Sequence, residues 1–341
     1  MKINTNEFKS TLSLLNLAAA KSISNENIMT EFIELSSDNG SLYGYTFDNV
    51  NYLKIKIGDC TEDFKATVNF FMLYNLIKTI KTDEFEMKVV KNALNIKSSN
   101  LNCNIPLQKD ASKNLVALPK FSTKDLSYSD IDMSNIKNNI SLIKSIIDLK
   151  FSVDCYRHIL LSKSILFTNT SDVILIDDTL FTDILLLSYK SIEILSSING
   201  QYAISNNKLY IHNDNIDLMI MEQPKTDYEY KEFLNLFKMT FDYTCTIKGE
   251  ELNNALNICN LYNYYKAELE FTKDGVYLSI KSIDFRYKIS DTSCTEFSYL
   301  MSLDRLKKLI ISKDDIIISY GNKDLLRVDH DNIHGIFSVG D

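Results

Sequence analysis

Two of the four histidines stand at a spacing that suits a metal ion. His330 and His334 are four residues apart, and on one face of a helix this spacing would bring two imidazoles to one zinc ion. The residues between them, DNI, and the flanking RVD and GIF are instead typical of a turn between two strands. We therefore expect two surface histidines in a hairpin and no metal site.

Other residues that could support catalysis are equally sparse. Six cysteines stand singly, without a C-x-x-C pair, which favours small core side chains in a reducing compartment over a zinc or redox site. The sequence contains no glycine-rich phosphate loop and no nucleophile elbow. Two acidic pairs, Asp177-Asp178 and Asp314-Asp315, stand beside predicted turns and are typical of solvated loops. The sequence thus predicts neither a catalytic residue nor a cofactor.

One structural pattern occurs three times along the chain. An amphipathic helix with lysines on its polar face, followed by paired strands, begins near Thr67, Ser188 and Ser302. These starting points are 121 and 114 residues apart, and such regular spacing predicts one domain used three times. Pro119 and Pro224 stand near the expected joints. We therefore predict three domains, at residues 1–119, 120–234 and 235–341.

Each predicted domain contains two helices on antiparallel strands. The apolar spacing of Phe8, Leu12, Leu15 and Ala19 illustrates the buried face of such a helix. Asn69, Ser188 and Ser302 are suitable N-caps, and Asn199-Gly200 suits a helix C-terminus. Asp-Gly and Asn-Asn pairs between apolar runs predict hairpin turns. The fold class is therefore α+β, with predicted helices at 5–21, 67–81, 133–147, 188–198, 247–261 and 302–311.

Charge is distributed unevenly between these helices and the rest of the chain. The six helices contain eleven basic and five acidic residues, a balance of +6, which leaves −14 for the remainder of a chain whose net charge is −8. Lysine is a good helix former on any exposed face, which is the plainer explanation. Threefold recurrence favours a helical layer that faces nucleic acid, with sequence-independent contacts to phosphates. The basic residues are Lys9, Lys21, Lys78, Lys81, Lys137, Lys144, Lys190, Lys248, Arg305, Lys307 and Lys308.

Several segments, in their order and spacing, resemble the bacterial-type DNA polymerase III beta sliding clamps over the full length of the chain. MKINTNEFKSTLSLLNLAAAKSIS is similar to the first strand and helix of that family, and TVNFFMLYNLIKTI to its second helix. GYTFDNVNYLKIKIG resembles the strand that the family writes as T-D-x-[DE]-V. Three later segments resemble the joint between the second and third domains, the last helix and the C-terminal strand: DYEYKEFL, TEFSYLMSLDRLKKLI and HGIFSVGD.

The resemblance implies a DNA clamp fold that assembles into a ring. Two chains would join head to tail, with cationic helices around a central hole and sheets on the outside. Double-stranded DNA would pass through the hole without sequence-specific contacts. The ring would tether a replicative DNA polymerase to the DNA, and a clamp loader ATPase would open it. Such a processivity factor is not an enzyme and works in the bacterial cytoplasm or nucleoid. No apolar run approaches the ~18 residues of a membrane helix, so no membrane partner is expected.

The family also has a partner-peptide pocket between its second and third domains. Carried over by position, its wall would consist of His158, Ile159, Asp172, Ile174, Pro224, Tyr230, Phe337 and Val339. The usual T-D-G-H-R-L stretch is TNTSDVILI here, and the terminal M-P-M is Phe337-Ser338-Val339. These departures suggest that the pocket takes a different partner peptide or binds peptides poorly, and they fit a divergent member from a phage or mobile element.

Two other functions are compatible with the same residues. A clamp-like interaction protein, for example a modulator of a host replication factor, would share the repeated domain without encircling DNA. An enzyme acting on DNA would need histidines or carboxylates that converge in a cleft, which the sequence does not predict.

Overall fold

The structure is a computed structural model that describes residues 1–21, 27–147, 156–178, 180–223 and 230–339. The chain divides into two compact units. The first unit comprises residues 1–137 and 190–222, and the second comprises residues 138–189 and 223–341. The three predicted domain ranges remain a prediction, because the two units are defined by how tightly their residues pack and not by the repeated order of elements.

The helices of the described residues include a counterpart for each of the six predicted ones. A seventh, at Tyr230–Leu236, was not predicted as a helix. In chain order they are α1 Thr5–Leu15, α2 Phe70–Thr79, α3 Ser134–Ile146, α4 Tyr189–Leu195, α5 Tyr230–Leu236, α6 Gly249–Leu261 and α7 Leu303–Lys308.

Local sequence explains where these helices begin and end. The side-chain oxygen of Asn69 accepts a hydrogen bond from the Met72 amide at 3.0 Å, and that of Ser302 accepts one from the Arg305 amide at 3.3 Å, which confirms both predicted N-caps. Helix α4 ends at Leu195, before the predicted stop. A Cβ on Gly200 would lie 2.6 Å from the carbonyl oxygen of His212, so this glycine permits close backbone approach instead.

The strands are short and antiparallel throughout. In the first 130 residues they are β1 Lys2–Asn4, β2 Phe32–Asp38, β3 Ser41–Phe47, β4 Asn51–Asp59, β5 Lys65–Asn69, β6 Glu84–Val90, β7 Ala93–Ser98, β8 Leu101–Pro106 and β9 Ser129–Asp130. They continue as β10 His158–Leu161, β11 Ser164–Thr168, β12 Asp172–Asp177, β13 Leu185–Ser188, β14 Gln201–Ser205, β15 Lys208–His212 and β16 Ile216–Met221. The last are β17 Tyr243–Lys248, β18 Lys266–Thr272, β19 Gly275–Ile280, β20 Phe285–Ser290, β21 Phe297–Ser302, β22 Asp315–Tyr320, β23 Leu325–His330 and β24 Ile333–Ser338.

The predicted hairpin turns are confirmed by positive φ angles at the expected residues. Asn39 and Gly40 join β2 to β3 with φ of 49° and 78°, and Asn206 and Asn207 join β14 to β15 with φ of 52° and 59°. Gly275 opens β19 with φ of 136°, a value that side chains rarely adopt. These turns fix the register of each hairpin.

The order of elements confirms a threefold repeat. One strand, one helix, four strands, one helix and three strands follow one another from β1 to β8, from β9 to β16 and from β17 to β24. Among the α-helices and strands of the described residues, α5 alone stands outside this pattern, just before the third repeat. The fold class is α+β, as predicted.

Within the described ranges, each compact unit contains one eight-stranded sheet and one four-stranded sheet. In the first unit, the strands run β5-β2-β3-β4-β16-β15-β14-β9 in one sheet and β1-β6-β7-β8 in the other. In the second unit, they run β13-β10-β11-β12-β24-β23-β22-β17 and β20-β19-β18-β21. Each eight-stranded sheet therefore joins two repeats, through β4 on β16 and through β12 on β24.

The helices bury their apolar faces against these sheets. Phe8, Leu12 and Leu15 of α1 are fully buried, as predicted, and Leu252 and Cys259 of α6 are also fully buried. A β-sheet whose one face is covered by helices leaves the other face to solvent or to a loop. Eight of the eleven predicted cations stand on these helices, whereas Lys21 and Lys81 lie beyond the ends of α1 and α2, and Lys248 is the last residue of β17.

Candidate nucleic-acid and partner interfaces

Seven of the eleven predicted helix cations have exposed side chains. They are Lys21, Lys78, Lys81, Lys137, Lys144, Lys248 and Lys307. Two of them lie over aromatic rings of α2: the Lys78 ammonium is 3.9 Å from the Tyr74 ring centroid, and that of Lys21 is 5.3 Å from the Phe71 centroid. A hydrogen bond from Lys78 lowers the pKa of the Tyr74 phenol. These ammonium groups remain accessible to a phosphate.

Two other predicted cations of the first unit are engaged internally. The Lys9 ammonium donates to the carbonyl oxygen of Ile80 at 2.6 Å. The Lys190 ammonium, on α4, lies 2.7 Å from a carboxylate oxygen of Asp48 and donates to the Ala19 carbonyl oxygen at 3.1 Å. The Asp48 side chain is 6% exposed, so this pair is shielded from solvent on the carboxylate side.

The second unit contains a similar ion-pair cluster. Asp172, the first residue of β12, is 1% exposed, and its carboxylate lies 2.9 Å from the Lys308 ammonium. The Arg305 guanidinium lies 3.8 Å from the same carboxylate and donates to the Ser338 carbonyl oxygen at 2.6 Å. Both cations belong to α7, so the cluster fixes that helix to the sheet. The contacts of Lys9, Lys190, Arg305 and Lys308 do not support the prediction that these four face nucleic acid.

The two clusters form on equivalent turns with the acid and the amide exchanged. In the turn from β3 to β4, Asp48 accepts a hydrogen bond from the Asn51 amide at 2.7 Å. In the turn from β11 to β12, Asn169 accepts one from the Asp172 amide at 2.7 Å. Each turn thus supplies one carboxylate to a cation from the second helix of the following repeat. The sequence analysis did not predict that these turns bind helix cations, although DNVN (48–51) and NTSD (169–172) are similar turn sequences.

The predicted partner pocket combines residues from both faces of one sheet. Strands β10, β12 and β24 are close neighbours, but successive residues of a strand point to opposite faces. The register places Asp172 opposite Phe337, and Ile174 on the same face, where the α7 cations lie. Ile159 also belongs to this helix-covered face, since it alternates with Leu160 of the opposite face. These four residues therefore do not line one wall with His158 and Tyr230.

The opposite face of this sheet carries an apolar cluster that is covered by α5. Leu160, Leu166, Val173 and Leu186 are buried there, and Tyr230, Phe233, Leu234, Leu236 and Phe237 pack against them. His158 points to this face, next to Leu160 in the alternation, and is 9% exposed. The cluster was missed because the carried-over residues did not respect the two-residue period of the strand.

The two remaining predicted pocket residues are Val339 and Pro224. Val339 is 7% exposed and is held by a hydrogen bond from its amide to the Asp324 carbonyl oxygen at 2.9 Å. Pro224 lies outside the described residues. The most coherent candidate surface for a partner is therefore the covering layer itself, called here the α5 face and defined by the half-buried Tyr230, Phe233 and Phe237, which pack over the buried Leu160 and Val173.

His330 and His334 stand in the hairpin that β23 and β24 form, as predicted, but both are half-buried and not at the surface as expected. His334 Nδ1 lies 2.7 Å from an Asp329 carboxylate oxygen, and its Nε2 lies 3.3 Å from Asp177. The hydrogen bond to Asp329 raises the pKa of His334, against an opposing effect of burial. His330 Nδ1 lies 2.9 Å from the Asp315 carbonyl oxygen. No cluster of three or more potential metal ligands occurs in the described part of the chain.

The cysteines of the described residues are largely core side chains, as predicted. Cys60, Cys245, Cys259 and Cys294 are buried and Cys103 is half-buried, while Cys155 lies outside the described residues. Burial raises the pKa of Cys259 to about 11, which keeps this group a thiol at neutral pH. Within those same ranges, no helix is long and apolar enough to cross a membrane.

The whole chain is similar in structure to DNA polymerase III beta subunits of bacteria. A Helicobacter pylori beta clamp bound to a DNA ligase peptide has 13% identity and a TM-score of 0.80, over 100% of this chain and 99% of that chain. The beta subunit of Thermotoga maritima has 13% identity and a TM-score of 0.80, over 100% and 98%. That of Streptococcus pneumoniae has 12% identity and a TM-score of 0.82, over 100% and 99%.

Sequence comparison alone finds no relative: no family model matches the chain, and no curated protein does. At these identities the structural likeness establishes the fold. The chain has the DNA clamp fold that its segments resembled.

Proposed function

We propose that this chain, with its beta clamp fold, is a non-catalytic sliding clamp. Two copies would join head to tail into a ring that encircles duplex DNA and tethers a replicative DNA polymerase. A clamp loader ATPase would open the ring, and the protein would act in the bacterial cytoplasm. The observation that carries this proposal is the pair of open sheet edges at β8 and β20.

The open edges follow from the repeat. β4 and β12 each pair with the last strand of the next repeat, so two repeats share one eight-stranded sheet. β20 occupies the corresponding place in the third repeat, and β8 is the corresponding last strand of the first repeat. Among the described residues, β20 pairs only with β19, and β8 only with β7. A second copy would supply the missing partner to both edges, and two such joints close a ring.

The exposed cations suit a duplex that passes through such a ring. A phosphate contact needs an accessible ammonium and no base recognition, and it weakens with salt. Lys78 and Lys81 in the first unit, and Lys144, Lys248 and Lys307 in the second, satisfy that requirement. The remainder of the chain is acidic, which would keep the outer surface from binding DNA.

The α5 face is the proposed contact for the polymerase and other partner proteins. It offers aromatic side chains, which are frequent anchors of peptide binding. The DNA ligase peptide bound to the Helicobacter pylori clamp is a precedent for peptide binding on this fold. In this chain Phe233 and Phe237 contribute to the covering layer, so the accepted peptide would differ from that of the family.

Covalent closure of the ring around a plasmid tests the proposal. In a Cys103→Ser, Cys155→Ser background, one cysteine is placed on each open edge, as Asn104→Cys with either Arg286→Cys or Lys288→Cys. All three substituted residues are exposed, so the fold should be unaffected. The protein is diluted with closed circular DNA, concentrated and treated with a short bismaleimide. Crosslinked protein should then remain on the plasmid in denaturant and be released when the plasmid is cut once.

Each other outcome contradicts the proposal. Crosslinked dimers that never retain circular DNA would favour the clamp-like interaction protein that does not encircle DNA. If the protein stays on the plasmid after the plasmid is linearised, it binds DNA by direct contact and not by encircling it. The uncrosslinked protein and linear DNA serve as controls in every assay.

A further inference from the structure

Helix α5 covers its strand face without burying any of its own side chains completely. The strand residues beneath it are buried and apolar: Leu160, Leu166, Val173 and Leu186. A helix of seven residues is not stable in water by itself, so the position of α5 depends on the groups that hold it. Those groups therefore decide whether the α5 face keeps one fixed arrangement.

Arg327, on β23, holds the C-terminal end of α5. Its Nη1 donates a hydrogen bond at 3.0 Å to the carbonyl oxygen of Phe237, the residue that follows the helix. Carbonyl groups at a helix C-terminus lack partners within the helix, and a guanidinium is a strong donor to them. The Arg327 side chain is 25% exposed, so this hydrogen bond is largely shielded from water.

The guanidinium is oriented by a chain of side chains on the same sheet face. Arg327 Nε lies 2.9 Å from both carboxylate oxygens of Asp329, and His334 Nδ1 lies 2.7 Å from one of them. His334 Nε2 in turn lies 3.3 Å from a carboxylate oxygen of Asp177, the last residue of β12. Strands β23, β24 and β12 thus all contribute to the placement of one arginine.

The first unit has an apolar side chain at the corresponding register position. The histidine–aspartate pair beside Arg327 has a counterpart there in His212 and Asp217, on β15 and β16. Tyr210 occupies the position of Arg327, two residues before the pair on the same strand. The Tyr210 ring lies 6.3 Å from that of Phe121, which belongs to the segment that covers this face. This position therefore contacts the covering segment in both units, by apolar packing in the first and by a charged hydrogen bond in the second.

We infer that Arg327 is a positioning residue for the α5 face, and that its hydrogen bond to the Phe237 carbonyl oxygen keeps α5 closed over the apolar strands. This inference rests on the proposed role of the α5 face as the contact for partner proteins. Without that bond, α5 moves away for part of the time and exposes the strand face to an apolar segment of a partner. Arg327 thus acts on partner binding through α5, without touching the partner.

Cysteine labelling beneath α5 measures how often the helix opens. In the Cys103→Ser, Cys155→Ser background, Val173→Cys places a thiol under α5, at a position that is 5% exposed. Its rate of reaction with a maleimide reports the open fraction, because a covered thiol reacts only when the cover opens. Arg327→Met removes the donor and keeps a long side chain. It should speed the labelling by about tenfold or more, since a hydrogen bond from a charged group is lost.

Two variants and two native thiols serve as controls. Arg327→Lys retains a cationic donor without the guanidinium plane, so its labelling rate should lie between those of the parent and of Arg327→Met. Arg286→Met removes an exposed guanidinium that pairs with Glu270, and should leave the rate unchanged. Cys245 and Cys294 are buried in the same unit, so their labelling reports any general opening of that unit.

Amide hydrogen exchange gives a second measure that needs no introduced cysteine. The amides of Lys238 and Met239 donate at 3.1 Å to carbonyl oxygens of the last two residues of α5. Both amides should exchange faster in Arg327→Met than in the wild type, because this last turn loses its attachment to the sheet.

The results separate this inference from the proposed function. Faster labelling of Val173→Cys alone supports the role of Arg327. An unchanged rate in Arg327→Met overturns it, and so does an equal acceleration at Cys245 and Cys294, which would mean a general loosening of the second unit. None of these measurements uses DNA or a second copy of the chain. A failure here therefore leaves the ring proposal standing, and a failure of the plasmid assay leaves the role of Arg327 standing.

Discussion

Single carboxylates decide which helix cations are free in this molecule. Asp172 is buried, accepts a hydrogen bond from the Asn169 amide nitrogen Nδ2 at 3.0 Å and receives the Lys308 ammonium at 2.9 Å. A buried carboxylate is tolerated only with such partners, because its desolvation is otherwise costly. Its presence turns Lys308 and Arg305 from candidate phosphate contacts into fold-stabilising groups. A count of lysines therefore overestimates the candidate nucleic-acid surface.

Removal of that carboxylate charge should destabilise the second unit. We expect Asp172→Asn to lower the free energy of unfolding by about 1–3 kcal/mol, since Lys308 and Arg305 lose their anion but still reach solvent. Urea unfolding followed by circular dichroism measures this change. Asp291→Asn is the matched control, because its carboxylate is 92% exposed and its ion-pair partner among the described residues is Lys288. Equal stability of the two variants would contradict the role given to Asp172.

His334 should make stability depend on pH. Its pKa is raised in the folded chain, chiefly by the hydrogen bond to Asp329, so the protonated form stabilises the fold. That contribution is complete below the unfolded pKa of about 6.5 and is lost as the pH rises through the raised value. His334→Gln should therefore cost more stability at about pH 5.5 than at about pH 9. Chemical unfolding at both pH values measures the difference.

The same comparison in an Asp329→Asn background isolates the pair. There the effect of His334→Gln should become nearly independent of pH, because the partner charge is gone. A pH dependence that persists without Asp329 would assign the effect to another carboxylate, such as Asp177.

Helix boundaries follow local sequence where a cap is present and tertiary packing where it is not. Asn69 and Ser302 begin α2 and α7 through side-chain hydrogen bonds, so spacing and composition predicted those starts. Helix α5 was missed because YKEFLNL lies at a predicted joint and buries no side chain completely. Its helical form depends on the apolar strand face that it covers.

The Asn69 cap provides a test of helix α2. We expect Asn69→Ala to lower the free energy of unfolding by about 1 kcal/mol, since the Met72 amide loses its acceptor. Asn69→Asp should retain most of the stability, because a carboxylate also caps and favours the helix N-terminus. Thermal melting of both variants measures the contrast. A similar loss in both would mean that the contact of Asn69 with Glu31 matters more than the cap.

At the scale of the whole molecule, three copies of one arrangement leave β8 and β20 as edge strands, although their counterparts in the other repeats are paired, and leave several predicted cations exposed. In the proposed function, a second copy related by closed symmetry would pair with both edges and complete a ring. Duplex binding by the exposed cations should be weak and dependent on salt, as expected for contacts to phosphates alone.

Replacement of four exposed lysines from the predicted helices should impair DNA binding. Lys78, Lys81, Lys137 and Lys144, all changed to Glu, should weaken binding to a short duplex by at least roughly tenfold and reduce its salt dependence. Fluorescence anisotropy across a salt series measures both effects. The control changes four exposed lysines outside the helices, Lys88, Lys91, Lys97 and Lys124, and so alters the net charge equally. An equal loss in the control would mean that net charge, and not the helical layer, governs binding.

The sequence by itself determined the threefold repeat, the six paired helices, the hairpin turns and the fold class. These features depend on apolar periodicity, caps and turn residues such as Asn39-Gly40, which act within a few residues of one another. The α+β assignment and the clamp-like order of elements followed from these local patterns, without knowledge of contacts between distant residues. Candidate cations were also visible, as lysines on the polar sides of predicted helices.

Only the tertiary structure decided which of those cations are available and which residues share a surface. Asp48 and Lys190 are 142 residues apart in the chain, so their pairing depends on how two repeats meet. Ile174 and Tyr230 lie on opposite faces of the sheet because of the strand register. An offset of one residue in that register would turn every side chain of the strand to the other face. Contacts between distant segments are set by packing, and no local pattern encodes them.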